Sequence, residues 1–539
     1  MIGYNETRQR APSVGFPPSS PAKLSEASSS PAAQAHLRER RELHHEADII
    51  IVGAGVFGCA SAFALAKQGR SVILLERWMR EPDRIVGELL QPGGVKALQA
   101  LGLGETLQGI DAVNVKGYEV IYNGEPVRIG YPNLEEGGKG EAKAQNGKMG
   151  ENGHSGEKEK LLSDEGGRPL GYSFHHGRFI QKLREACAKE PNITIFETTV
   201  KDTIKMQKSG RVLGVTSETT DPLTGEKKSD YFFGGLTLIA DGYASTFRKE
   251  FIGKTPVVKS KFYALELIDC DLPAPNHGHV ILSENAPVLL YQIGTHETRA
   301  LVDVPDNLST ASVANGGVKG HIKNVVIPSL PPSTRPSFEK ALEEGKLRSM
   351  PNSWLPPTTQ QHPGVLVLGD AMNMRHPLTG GGMTVAFNDV LLLSQLISPE
   401  KVPDLGNEVE VKQAMKEFHW QRKNLSSIIN ILAQALYALF AANDSHLLAL
   451  QKGCFEYFLI GGMCIDGPAG LLAGIIKRPF VLFYHFFSVA LLAIWIVMRD
   501  TIGSVLGIWK LPIAVIQSIL VFWKACVVIF PYIFSELRW

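Results

Sequence analysis

A short apolar run followed by closely spaced glycines constrains the fold of this chain more than any other sequence feature. Residues 49–52 are too few for a helix, and a second short apolar run ends at Glu76. Between the two runs, residues 61–67 have helical periodicity and end at a Gln-Gly pair. The first run is closed by glycines with GxGxxG spacing: Gly53, Gly55 and Gly58. The pattern predicts a strand, a glycine turn, a helix and a second strand over residues 47–77.

Glycines at this place allow a ligand to approach the backbone closely. A pyrophosphate can then lie against the turn, the first helical turn presents free N–H donors, and an acid after the second strand accepts ribose hydroxyls. GxGxxG spacing alone also occurs in tight structural turns. Because the strand, the helix and Glu76 all fall where the binding mechanism needs them, the sequence favours dinucleotide binding. The negative charge of Glu76 disfavours a ribose 2′-phosphate, and therefore NADP, at this site.

Two later predicted strands also end in acidic turns. The second cluster is Asp241 with the glycine after it, and the third is Asp370, which precedes a glycine-rich loop at 377–382. That loop leads into a predicted helix beginning near Gly382 or Met383, and amides at such a helix start stabilise negative charge on a flavin. Either aspartate turn alone is typical of an ordinary β-turn. The three clusters in this order predict an FAD site.

Charge and cysteine content argue against several other classes of protein. Lys and Arg number 55 against 54 Asp and Glu, a formal net charge of +1, so the chain lacks the basic excess typical of nucleic-acid binding. The six cysteines are scattered, with no CxxC pair and no histidine at zinc-finger spacing. Neither a disulfide framework nor a bound metal is expected. The first residues lack the apolar run of a secretory signal, which favours a reducing compartment.

Composition divides the chain into six regions. Residues 1–47 are rich in Pro, Ser, Arg and His and predict a disordered arm. Residues 134–168 hold 14 charged residues and 9 glycines among 35, which predicts a flexible insertion because so few apolar side chains cannot form a core. The other predicted regions are an FAD-binding region at 48–133, interleaved FAD-binding and substrate domains at 169–417, a helical substrate-pocket region at 418–478 and a hydrophobic membrane anchor at 479–539.

The expected fold class is α/β. An FAD-binding, Rossmann-like domain is interleaved with a β-sheet substrate domain and followed by membrane-associated helices. Apart from the βαβ unit, strands are predicted at 193–197, 212–218, 232–240, 280–282 and 365–369.

The end of the sequence is strongly apolar. Residues 479–498 carry no formal charge, and a helix of that length crosses roughly 30 Å of hydrocarbon. The later apolar runs at 502–509, 511–523 and 525–534 are each too short to span, which favours a dipped helical hairpin over two full spans. A Lys-Arg pair before residue 479 places the catalytic region on the cytosolic side under the positive-inside rule.

Four segments together resemble the squalene monooxygenase family, whose members are also called squalene epoxidases. The segments are EPDRIVGELLQPGG (81–94), FHHGRFIQKLR (174–184), IADGYASTFRK (239–249) and GDAMNMRHPLTGGGMTVA (369–386). The resemblance covers nearly everything from about residue 48 onward. The resemblance does not extend to the insertion at 134–168, which is absent from the family pattern in animals and therefore suggests a fungal member.

The resemblance implies an activity, partners and a location. The family uses FAD, O₂ and two electrons to convert squalene into (S)-2,3-oxidosqualene in sterol biosynthesis, ergosterol in fungi. Electrons come from NADPH-cytochrome P450 reductase, and the location is the endoplasmic reticulum membrane, with lipid droplets as a second compartment. Because squalene is a hydrocarbon without a polar group, an apolar pocket is expected, with walls from 418–440 and 455–476.

The resemblance also implies individual site residues. Tyr118 is expected to shape the active site through a polar network, with Gln91 and His176 as its partners. A strand tyrosine and a pair of adjacent core histidines are the ordinary structural alternatives. Arg77 and Arg84 could likewise be solvated surface charges. The flavin contacts implied by position are Val56, Phe57, Glu76, Arg77, Arg84, Arg184, Val200, Asp370 and Met383.

Three other functions share parts of this pattern. A flavin aromatic hydroxylase has the same clusters, but it typically needs a base for a phenolic proton and leaves the apolar tail without a purpose. A flavin reductase of isoprenoid double bonds differs by consuming no oxygen. A prenyl-protein chaperone on the same fold predicts eroded cofactor motifs, whereas Glu76, Asp241 and Asp370 are intact here.

Overall fold

The computed structural model describes residues 31–133, 162–221, 224–283, 285–306, 308–503 and 509–538. Its helices are α1 Pro31–Leu43, α2 Val56–Lys67, α3 Pro92–Ala100, α4 His176–Ala188, α5 Arg248–Ile252, α6 Gly317–His321, α7 Ile327–Ser329, α8 Arg335–Glu344, α9 Gly382–Leu396, α10 Glu408–Gln421, α11 Lys423–Phe440, α12 Ser445–Leu459, α13 Met463–Leu472, α14 Pro479–Ile502 and α15 Leu511–Leu537. Its strands are β1 Glu46–Val52, β2 Val72–Glu76, β3 Leu89–Leu90, β4 Val113–Val115, β5 Gly117–Tyr122, β6 Glu125–Gly130, β7 Gly171–Ser173, β8 Ile193–Glu197, β9 Thr199–Lys205, β10 Val212–Thr220, β11 Lys227–Ile239, β12 Val257–Ile268, β13 His277–Leu282, β14 Val288–Gln292, β15 Glu297–Pro305, β16 Arg348–Trp354 and β17 Val365–Val367.

The first sheet is built mainly from parallel neighbours. Its order is β8-β2-β1-β11-β10-β9, and β17 pairs with the carboxyl end of β11. β1 runs parallel to both β2 and β11, and α2 connects β1 to β2. Ile49, Ile50 and Ile51 are fully buried, as expected for a parallel sheet covered on both faces. The βαβ unit predicted over residues 47–77 is confirmed.

The second sheet separates the cavity from a small helical layer. Its order is β16-β12-β15-β14-β13-β5-β6, with β5 parallel to β13 and the other pairs antiparallel. One face packs on α8 through a core that includes Phe338, and the other packs on α11 and α12 through Phe262 and Phe455. Because β5 and β6 precede β8 in the chain while β12 to β16 follow β11, the two sheets interleave as predicted.

The structured chain begins earlier than residue 47. Residues 31–43 form α1, and the Arg41 side chain is 1% exposed. Its guanidinium donates to the Thr194 hydroxyl at 3.0 Å and to the Pro191 carbonyl at 2.6 Å. This burial beside β8 corrects the boundary of the predicted arm, whose residues 1–30 lie outside the described residues. The same holds for residues 134–161 of the predicted insertion.

The end of the chain forms two long helices rather than one long run and several short ones. α15 continues through Lys524, which separates two of the predicted apolar runs, and through Pro531. Lysine is a good helix former, and the Lys524 ammonium pairs with the Asp444 carboxylate at 2.6 Å, so its charge has a partner beside the apolar helices. α14 and α15 are both long and apolar enough to cross a membrane, and α11 with α12 would be a third candidate, bent by 113°.

These two helices also belong to the folded core. Ala493 of α14 and Ala525 of α15 are fully buried, whereas Trp495 and Trp523 on the same helices are 63% and 66% exposed. A Cβ added to Gly453 of α12 would lie 2.6 Å from the Cβ of Ala493, so α12 and α14 are in close contact. Each helix therefore has one face in the protein core and an apolar face outside it.

A buried carboxylate connects the second sheet to α11. Asp303 of β15 is 1% exposed and accepts hydrogen bonds from the Ser260 hydroxyl, from the Asn352 amide at 2.9 Å and from the Tyr437 hydroxyl at 3.2 Å. Burial is the main cause that raises the pKa of Asp303 to about 6. Three donors from β12, β16 and α11 thus meet at one side chain.

Asp303→Asn should stabilise the protein at neutral pH. A carboxyl pKa raised from 3.8 to about 6 contributes stability below the lower value and loses it as pH rises through the higher one. Removing the charge should therefore raise unfolding free energy by about 2–3 kcal/mol at pH 7.5, and by little near pH 4. Denaturant unfolding in detergent across this range measures the difference. Asp306→Asn, at an exposed position just past β15, is the control. If unfolding free energy had the same pH dependence in both variants, the raised pKa of Asp303 would be contradicted.

Candidate active site

Three turns meet at one edge of the first sheet. Val52 of β1 is in register with Ile239 of β11, which is in register with Val367 of β17. The three predicted clusters follow these residues directly, so parallel pairing brings them together despite their separation in sequence. A cavity lies at this edge, and its wall includes nine of the predicted residues: Gly55, Val56, Phe57, Arg84, Tyr118, His176, Asp370, Gly382 and Met383.

The three glycines of the first turn have different tasks. Gly53 has φ +104°, and a Cβ there would lie 2.6 Å from the Ala240 carbonyl oxygen. A Cβ on Gly58 would lie 1.8 Å from the Gly53 carbonyl oxygen. By contrast, no atom of the described chain lies within 4 Å of a Cβ built on Gly55. Gly53 and Gly58 permit close packing, and Gly55 leaves the backbone at the start of α2 open to a ligand.

Glu76 and Arg184 lie behind this turn. The Glu76 carboxylate accepts from the Ala54 N–H at 2.7 Å and from the Trp78 N–H at 3.2 Å. Arg184 is buried, donates to the Ala54 carbonyl at 3.0 Å and has its guanidinium 3.5 Å from Glu76. The resemblance implied a flavin contact for Arg184, whereas the donors of its guanidinium are directed at protein groups. Arg184 supports the shape of the turn.

Arg77 and Val200 lie at the far end of the same region. Arg77 is exposed, and its guanidinium stacks 3.9 Å from the centroid of the Trp78 ring. Val200 is half-buried on β9, which begins beside β2 because the Thr198 N–H donates to the Glu76 carbonyl oxygen at 2.7 Å. Neither side chain reaches the cavity wall. Of the predicted residues that the structure describes, six more do not line the cavity: Gly53, Gly58, Glu76, Gln91, Arg184 and Asp241.

The second and third turns are clamped together by a residue that the sequence analysis did not single out. Arg248, from the segment resembling the family, is buried and donates to the Ala371 carbonyl at 2.8 Å and the Tyr243 carbonyl at 2.7 Å. Asp241 accepts from the Thr246 N–H at 3.0 Å, and burial raises its pKa. Asp241 therefore shapes its own turn, while Arg248 ties that turn to the third cluster.

Arg84 and Asp370 face each other across the cavity mouth. The guanidinium of Arg84 lies 3.7 Å from the Asp370 carboxylate. The Nε atoms of Arg84 and Arg375 are buried, and neither finds an acceptor in the part of the chain that the structure describes. Both arginines line the cavity. Open space at Gly55 and Gly382, together with these donors, fits a bound group that carries phosphates and hydrogen-bond acceptors, as FAD does.

Tyr118 belongs to a buried polar network. The Gln91 amide donates to the Tyr118 hydroxyl and, at 2.9 Å, to the Thr379 carbonyl. The Tyr131 hydroxyl donates to the Gln91 side-chain carbonyl at 2.7 Å. Burial raises the pKa of Tyr118 to about 12, so its hydroxyl stays protonated at neutral pH. Gln91 is a partner of Tyr118, whereas Tyr131 and Thr379 were not predicted from the sequence.

His176 has a different partner from the one predicted. Its Nδ1 donates to the Gly87 carbonyl at 2.8 Å, and no hydrogen bond within the described ranges joins it to Tyr118 or Gln91. Burial, followed by the charge of Arg84, lowers the pKa of His176 to about 3. The imidazole is neutral at physiological pH and lies in the cavity wall.

The rest of the cavity wall corrects another expectation. The apolar wall was expected from 418–440 and 455–476, but no described residue of those segments lines the cavity. The second sheet supplies it instead, because β13, β14 and β15 present their apolar face there: Val280, Leu289 and Leu301. A buried ion pair borders this wall, with the Glu88 carboxylate accepting from Arg299 at 2.8 and 2.9 Å. No group of three or more potential metal ligands occurs among the described residues.

Two family models match the chain. The squalene epoxidase model matches residues 233–509, and the FAD dependent oxidoreductase model matches residues 48–80. The second match covers the glycine turn and Glu76, and the first covers the other two clusters.

Solved structures share the fold. p-Nitrophenol 4-monooxygenase from Pseudomonas putida has a TM-score of 0.58 at 16% identity, with 82% of this chain and 98% of that chain covered. PqsL from Pseudomonas aeruginosa has a TM-score of 0.57 at 18% identity, covering 74% of this chain and 97% of that chain. These likenesses confirm the predicted flavoprotein monooxygenase fold and show no more than the fold.

Curated relatives are similar over almost the whole chain. A squalene epoxidase of Gibberella zeae is 58% identical over 92% of this chain and 97% of its own length. One of Aspergillus fumigatus is 53% identical over 92% of this chain and 95% of its own length. The squalene monooxygenase of Mus musculus is 40% identical, covering 91% of this chain and 78% of its own length. With these relatives and a family model that matches half of its length, the chain belongs to the squalene epoxidase family.

Proposed function

We propose that the cavity at the edge of the first sheet is where this FAD-dependent monooxygenase epoxidises squalene for sterol biosynthesis. The observation that supports this most directly is the meeting of three cofactor turns with a wall of apolar side chains from the second sheet. One side of the cavity suits a charged dinucleotide, and the other suits a hydrocarbon. The product is (S)-2,3-oxidosqualene, with one atom of O₂ in the epoxide and the other leaving as water.

The residues that would hold FAD come from all three turns. The open backbone at Gly55 and the start of α2 suits the pyrophosphate, since free amides and the helix dipole favour negative charge. Glu76 suits ribose hydroxyls, and Arg84 and Asp370 offer a donor and an acceptor on the cavity wall. The start of α9 at Gly382 and Met383 presents amides to the flavin ring. When bound, FAD supplies the redox chemistry that activates O₂.

Transfer of oxygen to an alkene requires little acid–base catalysis. Tyr118 and His176 in the cavity are not suited to exchange protons near neutral pH. Tyr118 is protonated and His176 is uncharged near neutral pH. What the wall supplies is exclusion of water and a fixed position for the alkene. We assign Tyr118 and Gln91 to positioning: Gln91 contacts both Tyr118 on the second sheet and the Thr379 carbonyl just before α9. His176 forms the part of the cavity wall between these two residues and the first turn.

We infer that electrons come from NADPH-cytochrome P450 reductase and that the location is the endoplasmic reticulum, with lipid droplets a second site. Family membership supports both. The protein is membrane-associated through the exposed apolar faces of α14 and α15. Lys477, just before α14, donates to the Asn388 side chain of α9 at 2.9 Å, so the positive end of this helix lies at the catalytic region. This supports a cytosolic orientation of the catalytic region under the positive-inside rule. The expectation of a dipped hairpin rested on short apolar runs, whereas α15 is one helix of 27 residues.

A reconstituted reaction tests the function. Purified protein with FAD, the reductase, NADPH, squalene and ¹⁸O₂ should yield 2,3-oxidosqualene carrying one ¹⁸O atom. A saturated, unlabelled product would instead show an isoprenoid reductase. Protease treatment of sealed microsomes tests the orientation, because cleavage of the catalytic region from outside is expected only if it faces the cytosol.

Glu76→Ala should weaken FAD binding. The variant loses the acceptor for the Ala54 N–H and for ribose hydroxyls, at a cost of about 1–3 kcal/mol, or roughly a 5- to 150-fold higher Kd. Fluorescence titration of apoprotein with FAD measures it. Glu197→Ala is the matched control, since Glu197 ends the neighbouring strand opposite Glu76 and accepts from the Met79 N–H. Equal affinity for the Glu76 and Glu197 variants would contradict the assignment.

Tyr118→Phe should slow epoxidation while FAD remains bound. The ring is retained, but Gln91 loses one of its two acceptors, and a kcat lower by about 5- to 30-fold is expected for 1–2 kcal/mol of lost positioning. Tyr122→Phe, on the same strand, is the control. Steady-state rates are measured together with FAD occupancy. A wild-type kcat in the Tyr118 variant would contradict a positioning role and show that Tyr118 only packs.

A further inference from the structure

The end of α15 lies against the catalytic region. The Tyr532 ring packs edge-on against Trp354 of β16, with ring centroids 5.4 Å apart. The Lys259 ammonium of β12 lies over the same ring at 5.1 Å. One turn further on, Lys423 of α11 donates to the Glu536 backbone carbonyl. The segment after Pro531 is therefore held by two strands of the second sheet and by α11.

This docking buries a carboxylate. Glu536 is 3% exposed, and its Oε1 accepts from the Asn430 amide of α11 at 2.8 Å. The same amide donates to the Asn373 side-chain oxygen at 3.1 Å. Asn373 follows Asp370 by three residues, so two hydrogen bonds join the end of α15 to the third cofactor turn.

Asn373 in turn holds the cavity wall. Its side-chain oxygen accepts from Arg375 at 2.9 Å and from Arg422 at 3.2 Å, and its amide donates to the Leu355 carbonyl at 2.8 Å. Arg375 lines the cavity and reaches the Gly382 carbonyl at 3.5 Å, at the start of α9. The path from Glu536 thus ends at the Gly382 carbonyl, at the start of the helix whose amides are proposed to face the flavin.

Charge explains why a carboxylate is needed at the end of this path. Three cations, Arg375, Arg422 and Lys423, lie close to three carboxylates, which are Asp370, Asp389 and Glu536. Asp389 is engaged in a buried ion pair with Arg422 at 2.6 Å. Asp370 also faces Arg84 at 3.7 Å, and Glu536 is the carboxylate that faces the charge of Lys423. For packing alone, an apolar side chain would stabilise this contact better than a buried carboxylate.

We propose that Glu536 is a positioning residue for FAD, which acts through Asn430 and Asn373 on the loop between Asp370 and Gly382. The docked end of α15 then couples the seating of the membrane helices to the geometry of the cofactor loop. The inference rests on the proposed function in one respect only, namely that FAD occupies this cavity.

The test compares Glu536→Ala and Glu536→Gln with Ser535→Ala in the full chain, purified in detergent. Gln keeps the acceptor for Asn430 and loses the charge, whereas Ala loses both. Within the described part of the chain, the Ser535 hydroxyl donates to the Tyr532 carbonyl of its own helix, so this variant controls for a change in the same turn. FAD titration and the midpoint potential of bound FAD are measured, with sedimentation on membranes as a third readout.

We expect Glu536→Ala to raise the Kd for FAD at least tenfold, Glu536→Gln to do so less, and both to shift the potential to more positive values. Ser535→Ala should match wild type, and all variants should sediment with membranes. Wild-type Kd and potential in the Glu536 variants would overturn the proposal. If Glu536→Ala fails to fold, the isosteric Gln variant decides by the same criteria. A wild-type chain that binds no FAD would instead overturn the proposed function, so the two failures are distinguishable.

An independent measurement uses Asn430→Ala. If Glu536 acts through Asn430, a double variant with Glu536→Ala and Asn430→Ala should have a Kd for FAD no higher than that of the single variant with the higher Kd. Strictly additive losses would show that Glu536 acts by another route and would overturn the proposed path.

Discussion

The pairing register of β1, β11 and β17 is the constraint on which the active site depends. Val52, Ile239 and Val367 lie level in three neighbouring parallel strands, and each is followed by one cofactor turn. A shift of one residue in any strand would turn its side chains to the opposite face of the sheet. The fully buried isoleucines of β1 oppose such a shift because it would force a repacking of both faces. The same strand register therefore both stabilises the core and places the cofactor turns side by side.

The turns are held from behind by polar groups so that their fronts remain open. Arg184 supports the first turn and Arg248 joins the second to the third, in each case by donating to backbone carbonyls. Asn373 fixes the loop before α9 by donating to the Leu355 carbonyl and accepting from Arg375. Buried donors must find acceptors, and the loop carbonyls provide them. This arrangement leaves the amides at the helix starts for the ligand.

The two long helices at the end of the chain face two environments. Their small residues, such as Ala493 and Ala525, pack on the catalytic region, while Trp495 and Trp523 point outward. Hydropathy along the sequence shows only that these helices are apolar, and both the protein core and a membrane favour apolar side chains. It therefore divided α15 at Lys524, although lysine favours a helix and the charge of Lys524 is paired with Asp444.

Local pattern was sufficient for the glycine turn, the acid after β2 and the helix start at Gly382, because glycine spacing and helix capping act over a few residues. Family-like segments also pointed to Tyr118 and Gln91. The sequence did not reveal the Gly87 partner of His176, the cavity wall from β13 to β15 or the buried Glu536. Each of these depends on which distant surfaces come into contact. Sequence alone determined the chemistry the chain carries, and tertiary structure decided which groups share a cavity, since that follows from strand register and long-range packing.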